Sequence, residues 1–216
     1  MSDAIRPFTP NQRRVLGVLI EKQKTGKTPD AYPMTLNSLT TGCNQKSNRE
    51  PVIELNEDDV EETLLELNKF ILVQKVQGGR VERWRHLAYD FWKATQVEMA
   101  IVAELLLRGP QSEGDLRGRA SRMNDIPDLD QLRELLASLV AKQLVVYLRT
   151  GGRGAIVTHG FHTPEELEEE RARYAGGAAD APRQREAVPD RYQELKDELE
   201  LLKTRVIELE VKLAAR

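Results

Sequence analysis

The sequence predicts a mainly helical α+β fold with small β-hairpins, built from two tandem winged helix-turn-helix domains and a C-terminal helix or coiled coil. Two observations in the 216 residues carry this prediction. Three helix-like apolar patterns are followed by two strand-like segments, and this whole order occurs twice. In both halves a glycine pair, Gly78-Gly79 or Gly151-Gly152, separates the strand-like segments. A repeated element order is stronger support than any single local propensity.

The first domain is assigned to residues 1–93. Its first helix is predicted to start at Pro10, with Thr9 as the N-cap, because proline suits the first helical position. The predicted helices are Pro10–Lys24, Thr35–Gly42 and Glu57–Phe70, and the strands are Leu72–Gln77 and Arg80–His86. The residues expected to face the core in the first and third helices are Val15, Leu16, Leu19, Ile20, Val60, Leu64, Leu67 and Ile71.

The second domain is assigned to residues 94–163. Aligning Thr9 with Thr95 places Val15-Leu16 on Ile101-Val102, so Thr95 is expected to begin the equivalent first helix. A short helix over Ser112–Arg122 and a third over Leu129–Lys142 follow. The predicted strands Leu144–Arg149 and Arg153–His159 then complete the second hairpin. A Gly-Gly pair permits the positive φ angles of a two-residue turn.

The remaining residues divide into a charged segment with a flexible linker, 164–189, and a heptad helix, 190–216. The linker assignment rests on the sequence GGAADAP at 176–182, which has the composition of a flexible connection. Two readings of the heptads stay open: a coiled coil that makes a homodimer, or an amphipathic helix that docks on its own chain. The heptad positions a and d are filled by Tyr192, Leu195, Leu199, Leu202, Val206, Leu209 and Leu213.

Composition excludes several classes of protein. Cys43 is the single cysteine, so no internal disulfide can form and a cytoplasmic location is expected. The sequence contains no 18-residue apolar run and its first ten residues lack a signal-peptide pattern, so no membrane association is expected. With three histidines and one cysteine, the chain is not expected to form a zinc site, and no cofactor is expected. No catalytic set of side chains can be assembled, so the chain is not predicted to be an enzyme.

Charge is distributed unevenly although the formal net charge is only −3. Residues 1–93 contain 14 basic and 13 acidic side chains, and residues 94–163 contain 8 of each. Residues 164–216 contain 10 basic and 14 acidic side chains, so the acidic excess lies in this last region. Net charge therefore gives no signal of a nucleic-acid partner.

The candidate contact residues lie in two kinds of segment, the polar loop after the second helix and the basic hairpins. Amides, hydroxyls and cations there can bind phosphate, base edges or a peptide backbone. For the loop, the competing interpretation is that its Asn and Ser side chains only stabilise a turn and cap helices. For each arginine, the competing interpretation is that it is a solvated surface charge. The candidates are Asn44, Gln45, Lys46, Ser47, Asn48, Arg49, Lys75, Arg80, Arg83, Arg85, Arg117, Arg119, Arg149 and Arg153.

The third helix of each domain argues against standard DNA reading. In the first domain it opens with Glu57-Asp58-Asp59 and continues with Glu61-Glu62. In the second domain it begins near Asp128 and Asp130. These carboxylates suit the helix dipole, but in the usual docking geometry this end of the helix approaches the bases and phosphates. We therefore expect cationic hairpins rather than helix tips to make any DNA contact.

One long segment carries a resemblance to a known family. The stretch YPMTLNSLTTGCNQKSNREPV at Tyr32–Val52 resembles the signature of the YceH-like family, bacterial proteins of unassigned function. The match continues in GRVERWRH at Gly79–His86 and LRGRASRM at Leu116–Met123, and the resemblance covers residues 8–165. It implies a tandem winged-helix fold and a bacterial cytoplasmic setting. It supplies no catalytic residues.

Two functional hypotheses follow. The first is a dimeric DNA-binding transcription regulator that positions itself on phosphates through its basic hairpins and polar loop. The second is a protein-interaction module, an adaptor or complex subunit that has the winged-helix scaffold without DNA binding. The second is motivated by the acidic third helices and the near-neutral domains. It is similar in architecture to tandem winged-helix subunits of chromosome segregation complexes, which is an analogy of fold alone.

Overall fold

The helices of the first half begin where the sequence supplies a side-chain cap. The computed structural model describes residues 6–76, 81–151 and 154–175. Thr9 accepts a hydrogen bond from the N–H of Gln12, whose side chain accepts one from the N–H of Thr9, so two unpaired backbone donors are satisfied. The elements are α1 (Pro10–Thr25), α2 (Leu36–Cys43), α3 (Glu57–Lys69), β1 (Val73–Val76) and β2 (Arg83–His86), with a 3-10 turn at Pro29–Ala31.

The second half repeats this order. Thr95 caps its first helix by accepting a hydrogen bond from the N–H of Glu98, in agreement with the predicted equivalence of Thr9 and Thr95. The sequence pattern did not predict the short helix that joins the halves. The elements are α4 (Ala88–Trp92), α5 (Gln96–Arg108), β3 (Gln111–Ser112), α6 (Glu113–Ala120), α7 (Leu129–Ala141), β4 (Val145–Arg149), β5 (Ile156–His159) and α8 (Pro164–Ala175).

The strands of both predicted hairpins are present and are shorter than the sequence suggests, whereas the predicted turn residues Gly78, Gly79 and Gly152 lie outside the described residues. Strands β1 and β2 pair antiparallel with Val73 opposite His86, and β4 and β5 pair antiparallel with Val145 opposite His159. In the second half β3 adds to the free edge of β5. The first half has a single bridge at the same place, where Met34 and Trp84 exchange backbone hydrogen bonds of 3.0 and 2.7 Å. The described part of the chain is therefore mainly helical with small antiparallel sheets.

The third helices end in the same way in both halves. Ile71 and Gln143 follow these helices with φ angles of 60° and 61°, and the next residue in each case donates its N–H back into the last helical turn. Ile71 was expected to be buried, and this is wrong, because 67% of it is exposed. The left-handed residue ends the helical periodicity, so its side chain leaves the buried stripe of α3 and points to solvent.

The two halves share one core through the packing of α1 against α5. Val15, Leu16, Leu19 and Ile20 of α1 are fully buried, as predicted from their spacing. Gly17 lies where the helices cross, and a β-carbon there would be 2.9 Å from the Cγ of Leu107 on α5. Glycine therefore allows the helix axes to approach closely. The described residues belong to a single compact unit.

The last described element is α8, which lies in the segment described above as charged. Thr163 caps it through the N–H of Glu166. Arg13 of α1 forms an ion pair with Glu166 and donates a hydrogen bond to the carbonyl of Phe161, so α8 is tied to the first half. The predicted linker and heptad helix at 176–216 lie outside the described residues. Within the described ranges, every helix is too short or too polar to cross a bilayer.

Candidate functional site

The guanidinium of Arg49, in the polar loop, is enclosed by the protein. Its side chain has 0% exposure, and its Nη2 lies 2.6 Å from Oε2 of Glu21 on α1. The Nε donates to the carbonyl of Gly42 at 3.1 Å, and Nη2 also donates to Oε1 of Gln45. Burial opposes ionisation of Glu21, yet the adjacent Arg49 keeps the Glu21 pKa below its usual value. A buried, paired arginine cannot reach a phosphate in this arrangement, so the structure does not support a direct contact by Arg49.

Asn44 at the start of the loop also serves the fold. Its Nδ2 donates to the carbonyl of Leu55 at 2.7 Å, and its Oδ1 accepts from the N–H of Leu55 at 2.9 Å. This two-bond pairing closes the segment between α2 and α3 and places Asn56 to cap α3. Asn44 and Gln45 are thus positioned as structural side chains, as the competing reading of the loop proposed.

Asn48 connects the loop to the second half. It has a φ of 61°, a conformation that asparagine tolerates better than most residues. Its Oδ1 accepts hydrogen bonds from Arg108 at the end of α5 and from Nη1 of Arg122, the latter at 2.8 Å. Both arginines also pair with the buried carboxylate of Glu104. Burial raises the pKa of Glu104 even though these arginines lie beside it.

Sequence reasoning missed two residues that hold the loop. Arg14 of α1 donates to the carbonyls of Cys43 and Pro51, and Glu21 pairs with Arg49. Nothing in the local pattern of α1 shows that these side chains cross to the loop. Cys43 itself is fully buried, and burial raises its thiol pKa to about 12. Lys46 and Ser47 are the loop candidates that remain exposed.

The first hairpin keeps part of its cationic character at the surface. Arg83 and Arg85 lie on one face of β2 because they are two residues apart. Arg83 donates to the carbonyls of Asp30 and Pro33 and pairs with the Asp30 carboxylate at 3.1 Å. Arg85 is exposed and donates to Oε1 of Gln74. Lys75 pairs with Glu82 at 2.8 Å, and Arg80 lies outside the described residues.

The candidates of the second half are mostly engaged with nearby backbone. Arg117 donates to the carbonyls of Ile126 and Pro127, which fixes the loop before α7. Arg119 donates to Oε1 of Gln111 at 2.6 Å. Arg149 donates to the carbonyl of Gly154. Arg153 lies outside the described residues. The described arginines among them, Arg117, Arg119 and Arg149, therefore use part of their N–H groups within the chain.

The start of α3 presents the opposite charge to solvent. Glu57, Asp58, Glu61 and Glu62 are all exposed, and Asp59 is used to cap the helix. Leu65 follows one turn later on the same side and is 46% exposed. The start of α7 also carries exposed carboxylates, at Asp125, Asp128 and Asp130. We name the exposed side of α3, defined by Asp58, Glu61, Glu62 and Leu65, the α3 face.

Two of the three histidines pack together near α8. His159 and His162 stack with ring centroids 4.0 Å apart. Burial, with Arg13 nearby, lowers the pKa of His162 to about 4, and the fully buried His159 has a pKa well below its usual range. Among the described residues, no three His, Cys, Asp or Glu side chains are grouped as a metal ion would require. Neutral, packed imidazoles here act as core residues.

The comparison with protein families and the comparison with individual proteins agree with each other. The family described as "Protein of unknown function, DUF480" matches residues 8–153. A UPF0502 protein of Rhodopirellula baltica is 49% identical over 162 residues, covering 74% of this chain and 68% of the relative. A UPF0502 protein of Pectobacterium carotovorum is 38% identical over 215 residues, covering 94% of this chain and 95% of the relative. The second similarity extends through the C-terminal region.

Proposed function

We propose that this chain, which belongs to the DUF480 family of bacterial proteins, is a protein-interaction module that uses its α3 face to bind a basic segment of another protein. The observation that carries this proposal is the charge at the exposed start of α3. Where a DNA-reading helix would meet phosphates, this helix presents Glu57, Asp58, Glu61 and Glu62. Their repulsion of a polyanion acts within a few ångströms, where salt screens it least.

The apolar centre of the α3 face supports a protein partner rather than a simple cation. Leu65 is 46% exposed and lies one turn after Glu61 and Glu62. Val52, on the segment that leads into α3, is 57% exposed. An apolar anchor ringed by charge is typical of a helix or peptide contact. The matching partner surface is an amphipathic segment with lysine or arginine around an apolar side chain.

The engagement of the predicted cations also favours this function over DNA binding. Arg49, Arg83, Arg117 and Arg119 donate to carbonyl, carboxylate or amide oxygens of the same chain. Arg49 could reach a phosphate only by leaving its buried ion pair with Glu21. Each of the other three already uses part of its five N–H donors within the chain. Fewer cations are therefore left for a DNA backbone than the sequence alone suggests.

The test is quantitative affinity capture from nuclease-treated lysate with the full chain. The α3-face variant is Glu61→Lys with Glu62→Lys and Leu65→Ser. The matched control is Glu168→Lys with Glu169→Lys on α8, which are also exposed. We expect one stoichiometric partner with a basic surface to bind the natural protein and the control, and to be lost from the α3-face variant. Equal recovery of every partner by both variants would overturn the proposal.

A second candidate, DNA binding, is favoured by one observation. Arg85 is exposed on the first hairpin, and Lys46 is exposed in the polar loop. Two such cations can position a protein on a phosphate backbone without reading bases. In this case Arg85→Gln with Lys46→Gln would weaken binding to any duplex about equally, and would reduce the dependence of affinity on salt. Electrophoretic mobility shift over a series of salt concentrations measures both quantities.

A further inference from the structure

We propose that the cavity at the junction of the two halves binds a small amphipathic organic anion, a molecule with an apolar body and a carboxylate or similar head group. The cavity has a volume of about 640 Å³, which is within the range of small-molecule sites, about 300–1,000 Å³. None of the residues that line this site belongs to the α3 face, and its occupancy can be measured without any macromolecular partner.

Preformed aromatic walls give the cavity its apolar character. Phe8 and Phe161 are stacked with ring centroids 4.6 Å apart, and Trp92 lies 5.0 Å from Phe161. These three rings are at most 8% exposed, so they form a fixed layer directly behind the cavity, and the aromatic surface open to a ligand belongs mainly to Phe70 and Phe91. A rigid apolar wall binds a ligand with little loss of side-chain entropy.

The site is a product of the duplicated fold. Leu72 and Leu144 both line the cavity, and they hold equivalent positions just after the left-handed residues that end α3 and α7. Phe70 and Lys142 are likewise equivalent, and both line the cavity. The two third helices therefore bring their C-terminal ends to one place, and a ligand there contacts both halves at once.

Charge at the rim selects an anion. The lining includes three cationic side chains, Arg6, Lys93 and Lys142, and no aspartate or glutamate. Lys142 is already paired with the buried Glu98 carboxylate at 2.7 Å, so Arg6 and Lys93 are assigned to the ligand. The Arg6 guanidinium lies 3.9 Å above the centre of the Phe70 ring, which places this cation beside the apolar wall. An anionic head group can meet the cations while its body enters the cavity.

The mouth of the cavity carries an exposed aromatic side chain. Phe91 on α4 lines the cavity and is 55% exposed. Removing apolar surface from water is favourable, so a ligand that covers this ring gains affinity from it. A neutral apolar compound would use the same walls but would leave Arg6 and Lys93 uncompensated. The preference for an anion over its neutral analogue is thus the diagnostic property of the site.

The experiment compares octanoate with octanol, two probes of equal chain length, by titrating the full chain and following tryptophan fluorescence. The protein has two tryptophans, and Trp92 lies in the cavity wall. We expect octanoate to bind about tenfold more tightly than octanol, and Phe91→Ser to weaken the binding of both probes. Equal affinity of the natural protein for the two probes, or no binding of octanoate below about 1 mM, would overturn the proposal.

A rim variant provides the second measurement. Arg6→Gln with Lys93→Gln should remove the tenfold preference and leave octanol binding unchanged. Lys27→Gln with Lys46→Gln, at exposed positions outside the cavity lining, is the matched control and should retain it. If the rim variant still prefers octanoate tenfold, Arg6 and Lys93 do not recognise the anion and the assignment fails. The comparison of probes on the natural protein does not depend on the stability of either variant.

Discussion

The polar loop at 44–49 and the α3 face differ in how they use their polar side chains. The loop contains more hydrogen-bonding side chains, but those of Asn44, Asn48 and Arg49 form hydrogen bonds to other groups of the same protein. The α3 face contains only carboxylates and one leucine, but its Glu61, Glu62 and Leu65 side chains are exposed. The comparison shows that an unusual polar sequence does not by itself indicate a binding site. The burial of its side chains and their hydrogen-bond partners show whether those residues serve folding or binding.

The largest expected effect is at Arg49. Arg49→Ala removes the guanidinium beside the Glu21 carboxylate, whose side chain is 13% exposed, and leaves that charge without its main partner. Breaking a buried ion pair in this way costs about 3–5 kcal/mol. Urea denaturation gives the free energy of unfolding. The control, Lys46→Ala in the same loop, should change it by less than about 0.5 kcal/mol. Similar small effects at both positions would mean that the loop is not a structural brace.

Acid should weaken the fold through its buried histidines. Burial lowers the pKa of His86 and His162 to about 4, and that of His159 still further. Between these values and the usual 6.5, the unfolded chain binds protons that the folded chain does not, so stability falls as the pH falls. From pH 6.5 to 5.5 the loss is about 1 kcal/mol for each histidine. Denaturation midpoints measured across this window should decrease, and a constant midpoint would contradict the burial of these imidazoles.

Asn48 provides a smaller test of the connection between halves. Asn48→Gly keeps the left-handed backbone accessible but removes the acceptor for Arg108 and Arg122, and should cost about 1–2 kcal/mol. Asn48→Ala should cost about 1 kcal/mol more, because alanine is strained at positive φ. Thermal unfolding of the two variants separates the contributions. A more stable alanine variant would show that this loop conformation is not required.

The smallest stability effects are expected on the surfaces assigned to binding. Glu61→Gln and Glu62→Gln on the α3 face should each change the free energy of unfolding by less than about 0.5 kcal/mol, since both side chains are exposed. Chemical denaturation checks this. A loss of several kcal/mol would place these carboxylates with the loop residues, as parts of the fold, and would remove the contrast between the two regions.

Much of the fold is predictable because local signals agree with one another. The caps Thr9, Thr95 and Asn56, the helical spacing of apolar residues and the glycine pairs all indicate the repeated element order that is observed. The short helix α4 escaped prediction because it carries no separate cap or period. Ile71 was assigned to the core because spacing alone does not reveal where a helix stops and a left-handed residue follows.

The site was harder to predict than the fold, for a physical reason. The partners of Arg49, Asn48 and Asn44 are Glu21, Arg108 and Leu55, and two of these partners lie on other helices. Sequence pattern shows donors and acceptors, but not which of them meet across the core. The cavity at the junction was also not predictable from the sequence, because its walls come from five separate segments between Arg6 and Phe161.

The central claim is that the α3 face selects a basic protein segment over nucleic acid. The most direct measurement is fluorescence anisotropy of the full chain with two labelled probes at 50 mM salt, roughly the low-salt condition that favours charge contacts. One probe is a random-sequence duplex, and the other is an amphipathic peptide of lysine and leucine. The account predicts that the peptide binds, that the duplex does not, and that Glu61→Lys with Glu62→Lys weakens peptide binding more than Glu168→Lys with Glu169→Lys does. Tighter binding of the duplex than of the peptide by the natural protein would contradict it.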